Sequence, residues 1–257
     1  MRAAPAPPES ISGKMKMGVA ALIALLAGAA AAGEPCREMR HEGLRHVVCE
    51  ARAGDDLRLF LNAPDGTPFG SFGRIDAALA AEGAALEFAM NAGMYHADRR
   101  PVGLYVEAGE EAARLVTSAG PGNFGMLPNG VFCIGQDGFA VIESRRFAED
   151  RPACRHATQS GPMLLVAGEV HPRFIPGSTS RYLRNGVGVS PDGGTAYFVI
   201  SRGRVNFDGF ARFFRDALGV RDALYLDGNI SRLHAPGLGR SDAGLPMGPV
   251  VGLVAPR

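Results

Sequence analysis

The chain has 257 residues, is 46% hydrophobic and 21% charged, and carries a formal net charge of +1. That composition excludes wholesale disorder, and the near-balanced charge removes any case for a dedicated nucleic-acid binder. Its 35 glycines are about twice the usual share, which argues against a helical bundle and for short strands joined by turns.

Residues 1–14 are Pro-rich and read as structureless. Lys14 and Lys16 then precede an unbroken small-and-apolar run from Met17 to Ala32. A positive start, a short apolar stretch and an Ala-x-Ala exit describe a secretory signal peptide, which together with the N-terminal extension occupies 1–32. The run is shorter than the ~20 residues of a membrane-spanning helix, so no stable membrane insertion is expected after cleavage. One domain, 33–257, should then reside in the periplasm or outside the cell. Both lysines of the chain lie in the removed segment, which leaves only arginines as basic side chains besides histidine.

Cys36, Cys49, Cys133 and Cys154 remain in the exported part. Four thiols allow three pairings. The sequence-local one, Cys36–Cys49 with Cys133–Cys154, is the expectation for an oxidising compartment. His41, His46 and Cys49 are neighbours in sequence, but the His-x4-His spacing before a strand makes a poor metal site.

Along the domain, Leu57 to Leu61 alternates with leucines on one face, as a half-buried strand does. Strand-like segments follow at Leu86–Met90, Gly103–Val106, Val131–Ile134, Phe139–Ile142 and Met163–Val166. Tyr197–Ile200 and Ala223–Leu226 are apolar throughout and should be central strands. Two helices stand out. Arg74–Glu82 places Ile75, Ala78 and Leu79 on one side and stops at Gly83. Asn206 has the chemistry of an N-cap for a helix carrying Phe207, Phe210, Phe214 and Leu218, ended by Gly219. Those phenylalanines read as core. Many strands, few helices and no regular βαβ alternation indicate an α+β fold with a mixed, largely antiparallel sheet.

Four polar, Gly-containing segments follow or break strands: Asn91-Ala92-Gly93-Met94-Tyr95, Gln159-Ser160-Gly161-Pro162, Arg184-Asn185-Gly186-Val187-Gly188-Val189 and Leu226-Asp227-Gly228-Asn229-Ile230-Ser231. Loops that converge at strand ends are where a rigid sheet presents a binding site. In this order NAGMY, TQSGPMLL, RNGVGV and YLDGNIS resemble the motif set of the phosphodiester glycosidase family. The likeness is nearest to bacterial exported members, where PNGVF, HPRF and FARFFRDALG recur, and it spans roughly residues 57–236. The chain departs from animal members at Asn-Ala-Gly and Asp-Gly-Asn, where they carry Asn-Gly-Gly and Asp-Gly-Gly.

The resemblance implies hydrolysis of a sugar-1-phosphodiester at the anomeric carbon, releasing a phosphomonoester. Such a leaving group needs little protonation, but the transition state needs charge complementarity at the phosphate and a carboxylate for water or the anomeric cation. Arg184 is the candidate phosphate clamp, because a guanidinium fork matches two phosphate oxygens. Asp227, ending an apolar strand, is the candidate carboxylate. His171, read as lying in an exposed loop, is the candidate acid/base. Asn91, Tyr95, Gln159, Ser160, Asn185, Asn229 and Ser231 are candidate substrate contacts, and Asp98 or Glu107 could supply a second carboxylate. No cofactor is expected: Asp and Asn oxygens suit Ca²⁺ or Mg²⁺, but no ligand spacing is present. HExxH, GxSxG, Walker A and GxGxxG contexts are absent, which leaves zinc proteases, lipase-type hydrolases and nucleotide binders without support. Two other readings use the same residues: a non-catalytic module that binds envelope glycan, and a metal-dependent phosphodiesterase that cuts the P–O bond.

Overall fold

A computed structural model of the chain describes residues 1–6, 33–227 and 230–257. The chain divides into two units, Met1–Ala32 and Gly33–Arg257. Residues 7–32 of the expected export segment lie outside the described residues, as do Gly228 and Asn229. Among the described residues, all the strands and helices belong to the second unit.

Three antiparallel sheets make up that unit. The first has seven strands in the order β1 (Cys36–His41), β2 (Leu44–Arg52), β13 (Thr195–Ser201), β12 (Asn185–Val189), β14 (Asp222–Asp227), β10 (Met163–Val166) and β11 (Glu169–Val170). The second runs β16 (Arg240–Ser241), β15 (Leu233–Ala235), β4 (Ala84–Asn91), β17 (Val250–Pro256), β3 (Asp56–Phe60). The third runs β6 (Glu110–Ala113), β5 (Tyr105–Glu107), β9 (His156–Ser160), β7 (Gly130–Ile134), β8 (Phe139–Glu143). The α+β fold and the central placing of β13 and β14 match the sequence reading.

Period-two alternation explains how three sheets pack together. Each turns one face into a shared core: Phe198 and Leu224 from the first, Phe88 and Leu253 from the second, Phe132 and Ile134 from the third. Each outer face is then covered by one helix. Helix α1 (Phe72–Ala81) lays Phe72, Ile75 and Leu79 against the second sheet. Helix α2 (Ser144–Asp150) contributes Phe147 to the third. Helix α3 (Phe207–Arg212), continued by a π-helical turn over Phe213–Ala217, buries Phe210, Phe213 and Phe214 on the first. The aromatic stripe is therefore core. Ser71 caps α1 by accepting from Arg74 N–H, and Asn206 caps α3 by accepting from Gly209 N–H. Gly83 (φ 73°) and Gly219 (φ 65°) take the left-handed conformation that ends each helix.

One sequence expectation is corrected. Asn185–Val189, read as a polar segment breaking a strand, is itself the central strand β12, paired to both β13 and β14. Its glycines mark close packing rather than a turn. A Cβ on Gly188 would stand 2.8 Å from the Phe214 ring, and one on Gly186 would stand 2.8 Å from Leu224 O.

Both disulfides form in the sequence-local pairing, Cys36–Cys49 and Cys133–Cys154. They suit an oxidising compartment, and no helix among the described residues is long and apolar enough to cross a membrane. The bridges close intervals of 13 and 21 residues. Chain-entropy arguments give each about 3 kcal/mol. Replacing Cys133 and Cys154 together with Ala is expected to lower unfolding free energy by that amount, read from urea melts. An unchanged midpoint would contradict it.

Candidate active site

Strands β4, β12 and β14 come from two different sheets, yet their ends meet through buried amides. Asn185 Nδ2 donates to Asn91 O at 2.8 Å, and Asn185 Oδ1 accepts from Asp227 N–H at 3.0 Å. Asn91 Oδ1 accepts from Arg232 N–H at 2.9 Å. Ser231 Oγ donates to Asp227 O at 2.8 Å, closing the loop after β14. A second fastening joins the third sheet to the first, where Ser160 Oγ donates to Leu226 O at 2.8 Å. Asp227 is thereby held from its backbone on both sides.

The expected substrate contacts sort by what they touch. Asn91, Asn185 and Ser160 are buried and bonded to the protein, so they position the site rather than face a ligand. Gln159 is taken up entirely by the chain: its Oε1 accepts from Leu104 and Val116 N–H at 3.0 Å, and its Nε2 donates to Val116 O and Ser144 Oγ. Ser231 fastens its loop. Asn229 lies outside the described residues. Of the described members of the set, Ser231 also lines a neighbouring cavity, and Tyr95 lines one of about 440 Å³.

Asp227, Tyr225, Asn123, Met94 and Ile230 line this cavity with it. Asp227 is the sole carboxylate among its described lining residues and is only 9% exposed. Burial, and then the Asp227 charge, raise the Tyr95 phenol above its ordinary value. Burial raises Tyr225 further, with Arg184 opposing and Asp227 reinforcing the rise. Both phenols therefore hold their protons at neutral pH and can donate hydrogen bonds. Sequence reading passes over Tyr225 because its strand is apolar throughout. Alternation alone places it on the same face as Asp227, two residues on.

Arg184 does not present itself to this cavity. It is 2% exposed, its Nε donates to Val205 O at 2.9 Å and its Nη2 to Ser180 O at 3.4 Å. The guanidinium stacks 3.5 Å from the centre of the Phe207 ring and 5.4 Å from that of Tyr225. The expected clamp is thus a buried support behind Tyr225.

His171 is corrected for the same reason. The ring is 1% exposed rather than in an open loop, and its two nitrogens are engaged by Arg173 N–H and Leu127 O, each at 3.2 Å. Burial lowers its pKa, which favours the neutral ring. It stacks on Phe174, which stacks on Phe207 beneath Arg184. The HPRF segment therefore builds a ring stack under the arginine.

Asp98 pairs with Arg100 on the surface, and Glu107 accepts from the Tyr105 phenol at 2.5 Å. Neither lines the cavity. Cys49 is bridged and His46 lies between Phe210 and Phe213, which removes the His41–His46–Cys49 metal reading. Among the described residues, no group of three His, Cys, Asp or Glu side chains is placed to hold a metal ion. A larger cavity, about 1020 Å³, sits where β3 begins, at the other end of β17 from Asn91. Its Asp56 is gripped by Arg58 through three contacts of 2.6–3.0 Å.

Loss of the amide fastening should be costly. Asn185→Ala removes the acceptor of the buried Asp227 N–H and is expected to cost about 2 kcal/mol. Turnover should fall with it, because Asp227 loses its anchor. Equal melting temperatures for variant and parent would contradict this.

Three sheets around one core, with a single buried acid and two phenols in a cleft at their meeting edges, define the class. The chain belongs to the phosphodiester glycosidase family, whose model matches residues 84–234. Uncharacterized protein YigE of Escherichia coli (strain K12) is 34% identical over 181 residues, 70% of each chain. The zebrafish N-acetylglucosamine-1-phosphodiester alpha-N-acetylglucosaminidase catalytic domain, auto-inhibited by its pro-peptide, superposes with a TM-score of 0.56. It is 14% identical over 85% of this chain and 81% of that one. A hypothetical protein from Synechocystis gives 0.55 at 14% identity, covering 86% of this chain and 61% of that one. At such identities the two solved structures show the shared fold alone.

Proposed function

We propose that this protein is an exported hydrolase that cleaves a sugar-1-phosphodiester at the anomeric carbon and releases a phosphomonoester. The observation that carries the reading is Asp227, a barely exposed carboxylate that lines one cleft of ligand size together with two protonated phenols, in a chain of this family. Asp227 acts on the anomeric side, either activating water or stabilising the positive charge that develops as the C–O bond lengthens. Tyr95 and Tyr225 donate hydrogen bonds to sugar and phosphate oxygens. Arg184 contributes from behind: its buried charge lowers the pKa of the Tyr225 phenol, and so strengthens it as a donor. Export to the periplasm or beyond follows from the leader and agrees with the two disulfides.

The direct test is incubation of pure protein with a synthetic sugar-1-phosphoryl methyl diester. Release of free sugar together with methyl phosphate supports the proposal. Calorimetric binding of that diester without any turnover would replace it with a glycan-binding role.

A further inference from the structure

Beside the Asp227 cavity lies a second one of about 710 Å³. Ile230 lines both, and the next residue but one, Arg232, belongs to the second. Arg232 is fixed there, its N–H on Asn91 Oδ1 and its Nη1 donating to Leu245 O at 2.6 Å. Arg204 faces the same space. A third guanidinium, Arg240, is neutralised by Asp242 through contacts of 2.6–3.1 Å. Among the described residues that line the cavity, three guanidiniums therefore face one carboxylate, and the balance is two positive charges, those of Arg204 and Arg232.

Its rim is apolar. Tyr182 is 49% exposed, Leu183 43% and Leu245 68%, and all three line this one cavity. Single exposed leucines are ordinary on a protein surface. Three large apolar side chains around two guanidiniums in excess, in a cavity that shares Ile230 with that of the buried acid, form an amphipathic surface that calls for an amphipathic ligand.

We propose that this cavity is the aglycone subsite, and that the aglycone is a hydrophobic alcohol, an alkyl or prenyl chain carried on the phosphate. The inference rests on reading the Asp227 cavity as the sugar site. Arg204 and Arg232 take the phosphate oxygens, which supplies the charge that Arg184, turned away from the cleft, does not. Tyr182, Leu183 and Leu245 cover the first carbons of the chain. A hydrophilic aglycone would leave those three side chains in water and gain nothing from them.

The test uses the product of such a reaction, so it does not require turnover. Octyl phosphate and methyl phosphate are titrated into the full protein by calorimetry, below the micelle concentration. Octyl phosphate is expected to bind at least about tenfold more tightly. The preference should collapse in the double variant Leu183→Ser with Leu245→Ser, while Arg204→Ala weakens both ligands. Equal affinities for the two phosphates, or an octyl preference that survives the double variant, would overturn the proposal. Turnover of the methyl diester, measured in parallel, reports on the catalytic reading alone. Turnover without octyl preference removes the subsite and keeps the reading; octyl preference without turnover overturns the aglycone assignment together with the catalytic reading and leaves only an alkyl-phosphate binding cavity.

Discussion

Asp227→Asn is expected to lower kcat/KM on a sugar-1-phosphodiester by about 10³-fold, the range for removing a group that transfers a proton or meets developing charge. The substitution keeps shape and volume. Its backbone N–H stays on Asn185 Oδ1 and its carbonyl still accepts from Ser231, so the loop keeps its anchors. The melting temperature, measured beside it, separates a loss of turnover from a loss of folding. The loss should fall on kcat, because the carboxylate acts as the C–O bond breaks. A second signature is available: the Asp227 charge raises both Tyr95 and Tyr225, so both phenols should titrate lower in the variant, read by ultraviolet difference spectra. Retained turnover with unshifted phenols would remove Asp227 from the site.

The second large effect is on stability, and it is set by acid. His46 is buried against Phe213, ring centres 4.0 Å apart, and burial followed by the nearby His41 lowers its pKa to about 4. His156 is buried in the third sheet, its Nδ1 accepting from Ala108 N–H, and burial followed by Arg155 likewise brings it to about 4. An unfolded histidine takes up a proton near pH 6.5. Between that value and about 4, the unfolded state binds more protons than the folded one, so stability falls as pH falls through this window. Each histidine accounts for at most about 3 kcal/mol. Pairs such as Asp56–Arg58 lose their contribution only at lower pH, because Arg58 holds the Asp56 carboxyl below its ordinary value. Urea melts at pH 7 and pH 4.5 should differ by several kcal/mol, with His46→Leu reducing the difference by about half. A flat profile, or a slope that His46→Leu leaves intact, would contradict this assignment.

Most of the scaffold is legible in the sequence, because alternation and helix caps are local. Ser71, Asn206, Gly83 and Gly219 act within a few residues of their own position. The sheet partners are not legible. That Asn91 in the second sheet holds Asn185 in the first depends on chain segments 94 residues apart. For the same reason the amides stand out in the sequence while their partners do not: Asn91, Gln159, Ser160 and Asn185 face the protein, not a ligand. Arg184 and His171 share one further cause. Polar side chains are ordinarily exposed, and only the rings of Phe174 and Phe207, folded in from separate segments, show why these two are buried. Tyr225 is within reach of the sequence, since counting two back from Asp227 along β14 finds it. Arg204 and Arg232 carry no signal at all, being two arginines among many until the loops bring them to one cavity.

The central claim is that bond cleavage occurs on the sugar side of the phosphate. Hydrolysis of a sugar-1-phosphodiester in ¹⁸O-labelled water tests it most directly, with mass spectrometry of both products. Attack at the anomeric carbon beside Asp227 places the label in the free sugar and none in the phosphomonoester. Label found in the phosphate would mean that the P–O bond is cut, and the role assigned to Asp227 would be wrong.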